Sequence, residues 1–141
     1  VPAIAIREFT WNLFAANYIE MVKARAYGIE FSDDEKNAAI HTLHKVLATV
    51  LKLLAPITPF ITEHLWQTLY SEESIHKQKQ TEPENLEDYT SYTKEISEFN
   101  SKVWNEKKAK GLSLKDSISI QVPENLAEFK KDLTLMHNLT E

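Results

Sequence analysis

The sequence predicts a mainly α fold, a helical bundle followed by a small strand-plus-helix appendage. Three observations predict it. Apolar residues recur at helical spacing through most of the first 110 positions. Only two glycines occur among 141 residues, too few for tight hairpins or a glycine-rich phosphate loop. Two prolines three apart, Pro56 and Pro59, mark a rigid corner between two amphipathic stretches.

The first helix is expected from about Ala3 to Tyr27, ended by Gly28 in a left-handed terminator. Arg7 and Arg25 lie about five turns, or ~27 Å, apart on one face. Trp11, Phe14, Tyr18, Met21 and Val22 lie between them, and Ile6, Phe9 and Leu13 occupy the other side. A helix apolar on two faces is either central in a bundle or sandwiched between domains. Ser32-Asp33-Asp34-Glu35 reads as a capping box that opens the second helix. Its broad stripe from Ala39 through Leu43, Leu47 and Val50 to Leu54 is that of a central packing helix.

At the corner, Pro56 withholds a donor and biases Ala55 away from helical geometry. Thr58 offers a hydroxyl as N-cap, and Pro59 falls at the first helical position, where its missing N–H is harmless. The third helix fades near Tyr70, and Trp66 sits within its apolar stripe, which favours a core residue over a stacking platform for a base. Ser71 to Asp88 is polar, contains Pro83 and reads as a long irregular connection.

The fourth helix is expected from about Thr90 to Lys110, with Tyr92, Ile96, Phe99 and Val103 as its stripe. Beyond Val103 the same azimuth carries Glu106, Lys107 and Lys110, so the last two turns are expected to project from the core. Residues 117–122 then alternate like a half-buried strand, and Asn125 is a candidate cap for a final helix. The strand has no evident partner: either its module is cut short, or it pairs with residues read as irregular. The expected organisation is a helical domain at 1–112 and the start of an α+β extension at 113–141.

The net charge of −5 opposes nucleic-acid binding at first sight. Much of the acid, however, sits in Asp33-Asp34-Glu35, Glu72-Glu73 and the stretch from Glu82 to Asp88. Both arginines are on the first helix, and Lys102, Lys107, Lys108 and Lys110 gather near the end of the fourth. The absence of cysteine excludes disulfides and thiolate metal sites and fits a reducing cytoplasm. Val1-Pro2-Ala3-Ile4 lacks the charged start of a signal peptide, and no apolar run is long enough to span a bilayer. His41 and His44 are helical neighbours without a third ligand at motif spacing, so no metal site is expected.

The corner Leu53-Leu54-Ala55-Pro56-Ile57-Thr58-Pro59-Phe60-Ile61-Thr62-Glu63-His64-Leu65-Trp66 resembles that of the anticodon-binding domain of class I aminoacyl-tRNA synthetases. The valine, isoleucine and leucine enzymes carry a Pro-x-x-Pro-Phe/His-x-x-Glu-x-x-Trp pattern there. The first helix, from Phe9-Thr10-Trp11-Asn12 to Ala26-Tyr27, is similar to that of the archaeal and eukaryotic valine form. The resemblance covers roughly residues 1 to 115. It implies a helical bundle that grips the anticodon stem-loop of tRNA(Val) and adjoins the catalytic body of a parent chain, with no DNA or membrane partner.

The resemblance further implies that the parent joins valine to tRNA with ATP and magnesium. The His-Ile-Gly-His-like and Lys-Met-Ser-Lys-Ser-like motifs that bind ATP do not occur here, so neither cofactor nor catalysis is expected of this segment alone. Arg7 and Arg25 are RNA-binding candidates because guanidinium forks suit phosphates and base edges; equally, both could pair with carboxylates beside a core stripe. Trp11-Asn12 matches a Trp-Asn step of the subfamily. Asn12 could read a base edge or, buried, satisfy a neighbouring helix. Lys107, Lys108 and Lys110 are candidate phosphate contacts, with Lys102 on a weaker azimuth. Two alternatives stay open: an isoleucine or leucine enzyme, and a helical protein-interaction module without RNA.

Overall fold

The computed structural model describes residues 2–82 and 88–140. Pro2–Glu8, Phe9–Ile19 and Glu20–Tyr27 form one continuous helix, α1, whose middle stretch is π-helical. Four further helices follow: α2 (Asp33–Leu54), α3 (Pro59–Leu69), α4 (Thr90–Ala109) and α5 (Lys130–His137). Short 3-10 turns lie at Ile75–Lys77 and Glu124–Phe129. β1 (Ile118–Ser119) pairs in parallel with β2 (Leu139–Thr140), Ile118 opposite Leu139. The predicted strand is therefore shorter than its alternating pattern, and its partner comes from residues read as helical or irregular.

The two glycines do the same job at two helix ends. Gly28 (φ 72°) and Gly111 (φ 67°) are left-handed. Gly28 N–H donates to Arg25 and Ile29 N–H to Ala24; Gly111 N–H donates to Lys108 and Leu112 N–H to Lys107. Each set closes a helix on its own last carbonyls. The capping box is present in both arms: Glu35 N–H donates to Ser32 Oγ at 3.3 Å, and Ser32 N–H to Glu35 Oε2 at 2.9 Å.

The corner departs from expectation in two details. Ala55 keeps helical angles (φ −52°, ψ −41°) despite the following proline. Ile57 and Thr58 N–H both converge on the Leu54 carbonyl at 2.8 Å. The Thr58 hydroxyl points back to the same carbonyl at 3.3 Å, so it donates to α2 rather than capping α3. Pro59 does occupy the first position of α3. Beyond α3, Glu63 Oε2 accepts from Ser74 Oγ and Ile75 N–H, which seats Ile75 in the core. The connection read as irregular is thus anchored in its first half; residues 83–87 of it lie outside the described residues.

Two apolar clusters hold the molecule. One gathers Leu51, Ala55, Trp66 and Ile75 at the α2–α3 corner. The other joins Met21 and Val22 of α1, Phe99 and Val103 of α4, and Ile118, Leu126 and Leu133 from beyond residue 112. Residues on both sides of position 112 therefore share one core. Asn125 does not cap α5; its amide donates to Glu95 Oε2 on α4.

The larger core contains a polar thread. His137 Nε2 lies 2.7 Å from Asn100 Oδ1, Asn100 Nδ2 donates to Asn17 Oδ1 at 2.9 Å, and Asn17 Nδ2 donates to the Asn12 carbonyl at 2.7 Å. An amide oxygen only accepts, so His137 Nε2 carries the hydrogen. Lys107 Nζ donates to the carbonyls of Leu114 and His137, both at 2.7 Å. Lys107, Asn100 and His137 are all buried. The thread places Asn17 beside Asn100.

The expectation that the end of α4 projects free is overturned by this packing. Lys107 continues the Val103 face, and the loop after Gly111 and the end of α5 close over it. Two stability predictions follow from the geometry. Lys107→Met leaves the buried His137 carbonyl and the part-buried Leu114 carbonyl without their donor and lowers stability by about 2–4 kcal/mol, against under about 0.5 for exposed Lys108→Met, read from urea midpoints. Burial and the Lys107 charge push His137 from 6.5 down to about 4, so the unfolded chain binds the extra proton between these values. Stability then rises with pH across that window, by roughly 3 kcal/mol in all. His137→Gln should flatten that limb, and an unchanged limb would rule the histidine out as its source.

Candidate nucleic-acid interface

The π-helical stretch of α1 carries exposed Phe9, Trp11 and Asn12. Trp11 is 74% exposed, and Arg7, one α-helical turn earlier, and Asn12 are exposed with it. Asn12 Nδ2 donates to Glu8 Oε2 on its own helix. Asn12 is thus not the buried interhelical asparagine; Asn17 takes that role, one turn further on. No ion pair of Arg7 is found among the described residues.

Arg25 has a different environment. Its Nε donates to Asp132 Oδ1 at 3.1 Å and its Nη2 to Oδ2, a two-pronged pair with a carboxylate that is 1% exposed. The guanidinium also sits 4.9 Å from the Phe31 ring centre, over the same ring as Lys131 Nζ at 4.2 Å. The hydrogen bond to Asp132 holds Arg25 above its ordinary pKa. Arg25 is therefore a clamp between α1 and α5, which matches the carboxylate-pairing alternative open in the sequence.

Lys107 is likewise committed inside, at 0% exposure, with burial lowering its pKa. Its expected contact with phosphate is incompatible with that position. Lys108 and Lys110 are exposed at the end of α4. The seven candidates therefore separate into one buried cation, Lys107, one partly exposed cation committed to an ion pair, Arg25, and five solvent-facing groups.

The five do not border a common groove. Asn17 pairs with Asn100, and Leu13 shares a depression with Thr93 and Ser97, so α1 and α4 run in the same direction. Arg7, Trp11 and Asn12 are then near the start of α4, whereas Lys108 and Lys110 are at its far end. The axial separation is roughly 25 Å.

An apolar cleft of about 600 Å³ opens between α1, α2 and the start of α4, lined among others by Phe9, Leu13, Phe14, Val46 and Ile96. Phe14 stacks with Phe9 (ring centres 6.2 Å apart) and with Tyr18 (6.0 Å). The second apolar side of the first helix was legible in the sequence; that it faces a cleft was not, because the cleft depends on where α4 lies. Among the described residues, no three His, Asp or Glu side chains are placed to hold a metal ion, and no helix is long and apolar enough to cross a membrane.

Residues 2–122 match the sequence model of the family described as the anticodon-binding domain of tRNA ligase. The valine–tRNA ligase of Pyrobaculum aerophilum is 39% identical across 99% of this chain and 18% of its own length. That of Aeropyrum pernix is 34% identical across 96% of this chain and 18% of its own. The Nanoarchaeum equitans ligase is 38% identical, across 93% and 17%. The chain thus spans less than a fifth of the length of these relatives. No solved structure matches it. The family match takes in all four bundle helices and reaches just past β1, and the chain belongs to the anticodon-binding domain family of tRNA ligases.

Proposed function

We propose that this chain grips the anticodon stem-loop of tRNA(Val) as the non-catalytic part of a valine–tRNA ligase. The observation that carries the proposal is the family match over residues 2–122, joined by near-full-length similarity to valine–tRNA ligases. The parent would join valine to its tRNA with ATP and magnesium bound to a catalytic body that this chain lacks. This segment alone would bind RNA without activating valine.

On the bundle, Trp11 offers an exposed indole on which an unpaired base can stack, and Arg7 a fork for a neighbouring phosphate. Asn12 supplies an amide for a base edge or a sugar hydroxyl. Lys108 and Lys110, at the far end of α4, suit the backbone of a stem more than a base, since phosphate contacts position while base contacts specify. With a net charge of −5, affinity rests on few cations and falls steeply with salt.

Labelled anticodon stem-loops for valine, isoleucine and leucine, titrated at low salt, test the proposal directly. The valine loop is expected to bind tightest, with affinity falling as salt rises; equal binding of all three would remove the valine assignment. No binding, together with persistent self-association, would favour the interaction module. Trp11→Ala should weaken the valine loop by about tenfold, the scale of one lost base stack. Because Trp11 is exposed, its thermal midpoint should stay put, and unchanged affinity would remove Trp11 from the interface.

A further inference from the structure

A groove of about 710 Å³ runs along the outer side of α4, beside the apolar cleft. Leu13, Thr90, Thr93 and Ser97 line both, so the two form one continuous depression. Its chemistry changes along its length. At the cleft end, Phe9 is stacked on buried Phe14, their planes 10° apart, and with Leu13 it gives the depression an exposed apolar face. At the groove end the lining is Lys94, Ser101, Lys102 and Asn105, with Glu98 among them.

A partner protein helix would need an apolar strip that continues, whereas this one gives way at Ser97 to hydroxyl, amide and ammonium groups. An exposed phenylalanine ring in an apolar depression that opens onto such groups matches an unpaired nucleotide, whose base stacks while its sugar and phosphates stay outside. We propose that the α1–α4 depression seats one unpaired nucleotide of an RNA loop. Its base lies against Phe9 and Leu13, and its flanking phosphates meet Lys94 and Lys102. This rests on the RNA-binding function above but concerns a separate surface. Trp11, two residues from both Phe9 and Leu13, is carried to the other side of α1.

The charges that face the depression fix the orientation of the nucleotide. Asp88 stands at the cleft end, its Oδ1 accepting from Thr90 N–H at 2.9 Å and from the Thr90 hydroxyl, which disfavours a phosphate there. Two lysines against one glutamate favour it at the groove end. Lys94 and Glu98 are 3.8 Å apart with side chains 84% and 67% exposed. So loose a pair is easily exchanged for a phosphate contact. Lys102 is the weaker candidate in the sequence for its azimuth; that azimuth is the one the groove occupies.

Fluorescence anisotropy of a labelled valine anticodon stem-loop with the 141-residue chain tests the assignment. Lys94→Ala with Lys102→Ala should weaken binding about tenfold and flatten the salt slope by roughly 1.4, two contacts at ~0.7 each. Glu98→Gln should tighten it. Ser97→Trp, filling the shared wall, should abolish binding with helical content and thermal midpoint retained; if that variant misfolds, the exposed lysine pair decides. Lys77→Ala with Lys79→Ala, the same charge change on another segment, should cost clearly less. If the groove variants bind like the parent chain, or the two lysine pairs cost the same, the depression is not the site and the RNA function stands. If the unmodified chain binds no stem-loop at low salt, both fall. Self-association that Ser97→Trp disrupts, without RNA binding, would make the depression a protein interface instead.

Discussion

The relation between α1, α4 and the C-terminal segment depends on one buried amide. Asn100 donates to Asn17 on α1 and accepts from His137 at the end of α5, so one side chain in α4 fixes the position of both neighbours. Packing of Met21, Val22, Phe99, Val103 and Leu133 supplies the attraction, but apolar contact alone tolerates small slides along a helix axis. A buried hydrogen-bonded thread does not, because a shift of a few ångströms leaves polar groups desolvated and unpaired. Lys107 extends the same constraint by joining the loop carbonyl of Leu114 to that of His137. The parallel strand pair closes over it, with Ile118 N–H donating to the Asn138 carbonyl.

That register has consequences for the surface proposed to meet RNA. It brings Leu13 level with Thr93 and Ser97 and so opens the depression between α1 and α4. It also carries Lys108 and Lys110 away from Arg7 and Trp11. A partner that touched both ends would have to extend along the bundle, which suits a stem-loop better than a compact ligand. The π-helical stretch of α1 lies in the same region. Such stretches rotate side chains relative to an α-helix, and here the Asn17 amide reaches back five residues to the Asn12 carbonyl.

The helices, their two glycine terminators, the capping box and the proline corner were legible because each is a local rule written in adjacent residues. The family was legible too, through the corner and the first helix. What escaped was decided by distant residues. Nothing near Lys107 says that a loop and a short helix thirty positions on will cover it, and a lysine on an apolar azimuth ordinarily reads as the end of burial. Asn12 and Asn17 are both asparagines on one helix, and only the place of Asn100 chooses between them. Arg25 was open between RNA and carboxylate until Asp132 arrived beside it. Strand pairing is non-local by nature, so β1 had no partner until β2 was seen.

An acidic chain in an RNA-binding family raises no contradiction once the acids are located. Asp33, Asp34 and Glu35 occupy the first turn of α2, where they complement the helix dipole and Glu35 closes the cap. Glu63 is spent on Ser74 and Ile75, and Asp132 on Arg25. These carboxylates hold the fold, and their fields fall off within about one Debye length, ~8 Å at physiological salt. A phosphate at the Lys94–Lys102 groove or beside Arg7 feels the local cations more than the chain total. The cost of the acidic balance falls on long-range attraction, so under the proposed function RNA approaches more slowly and orientation is left to stacking and hydrogen bonds. On the proposed function, weak general attraction combined with specific short-range contacts raises the ratio of right to wrong RNA partners.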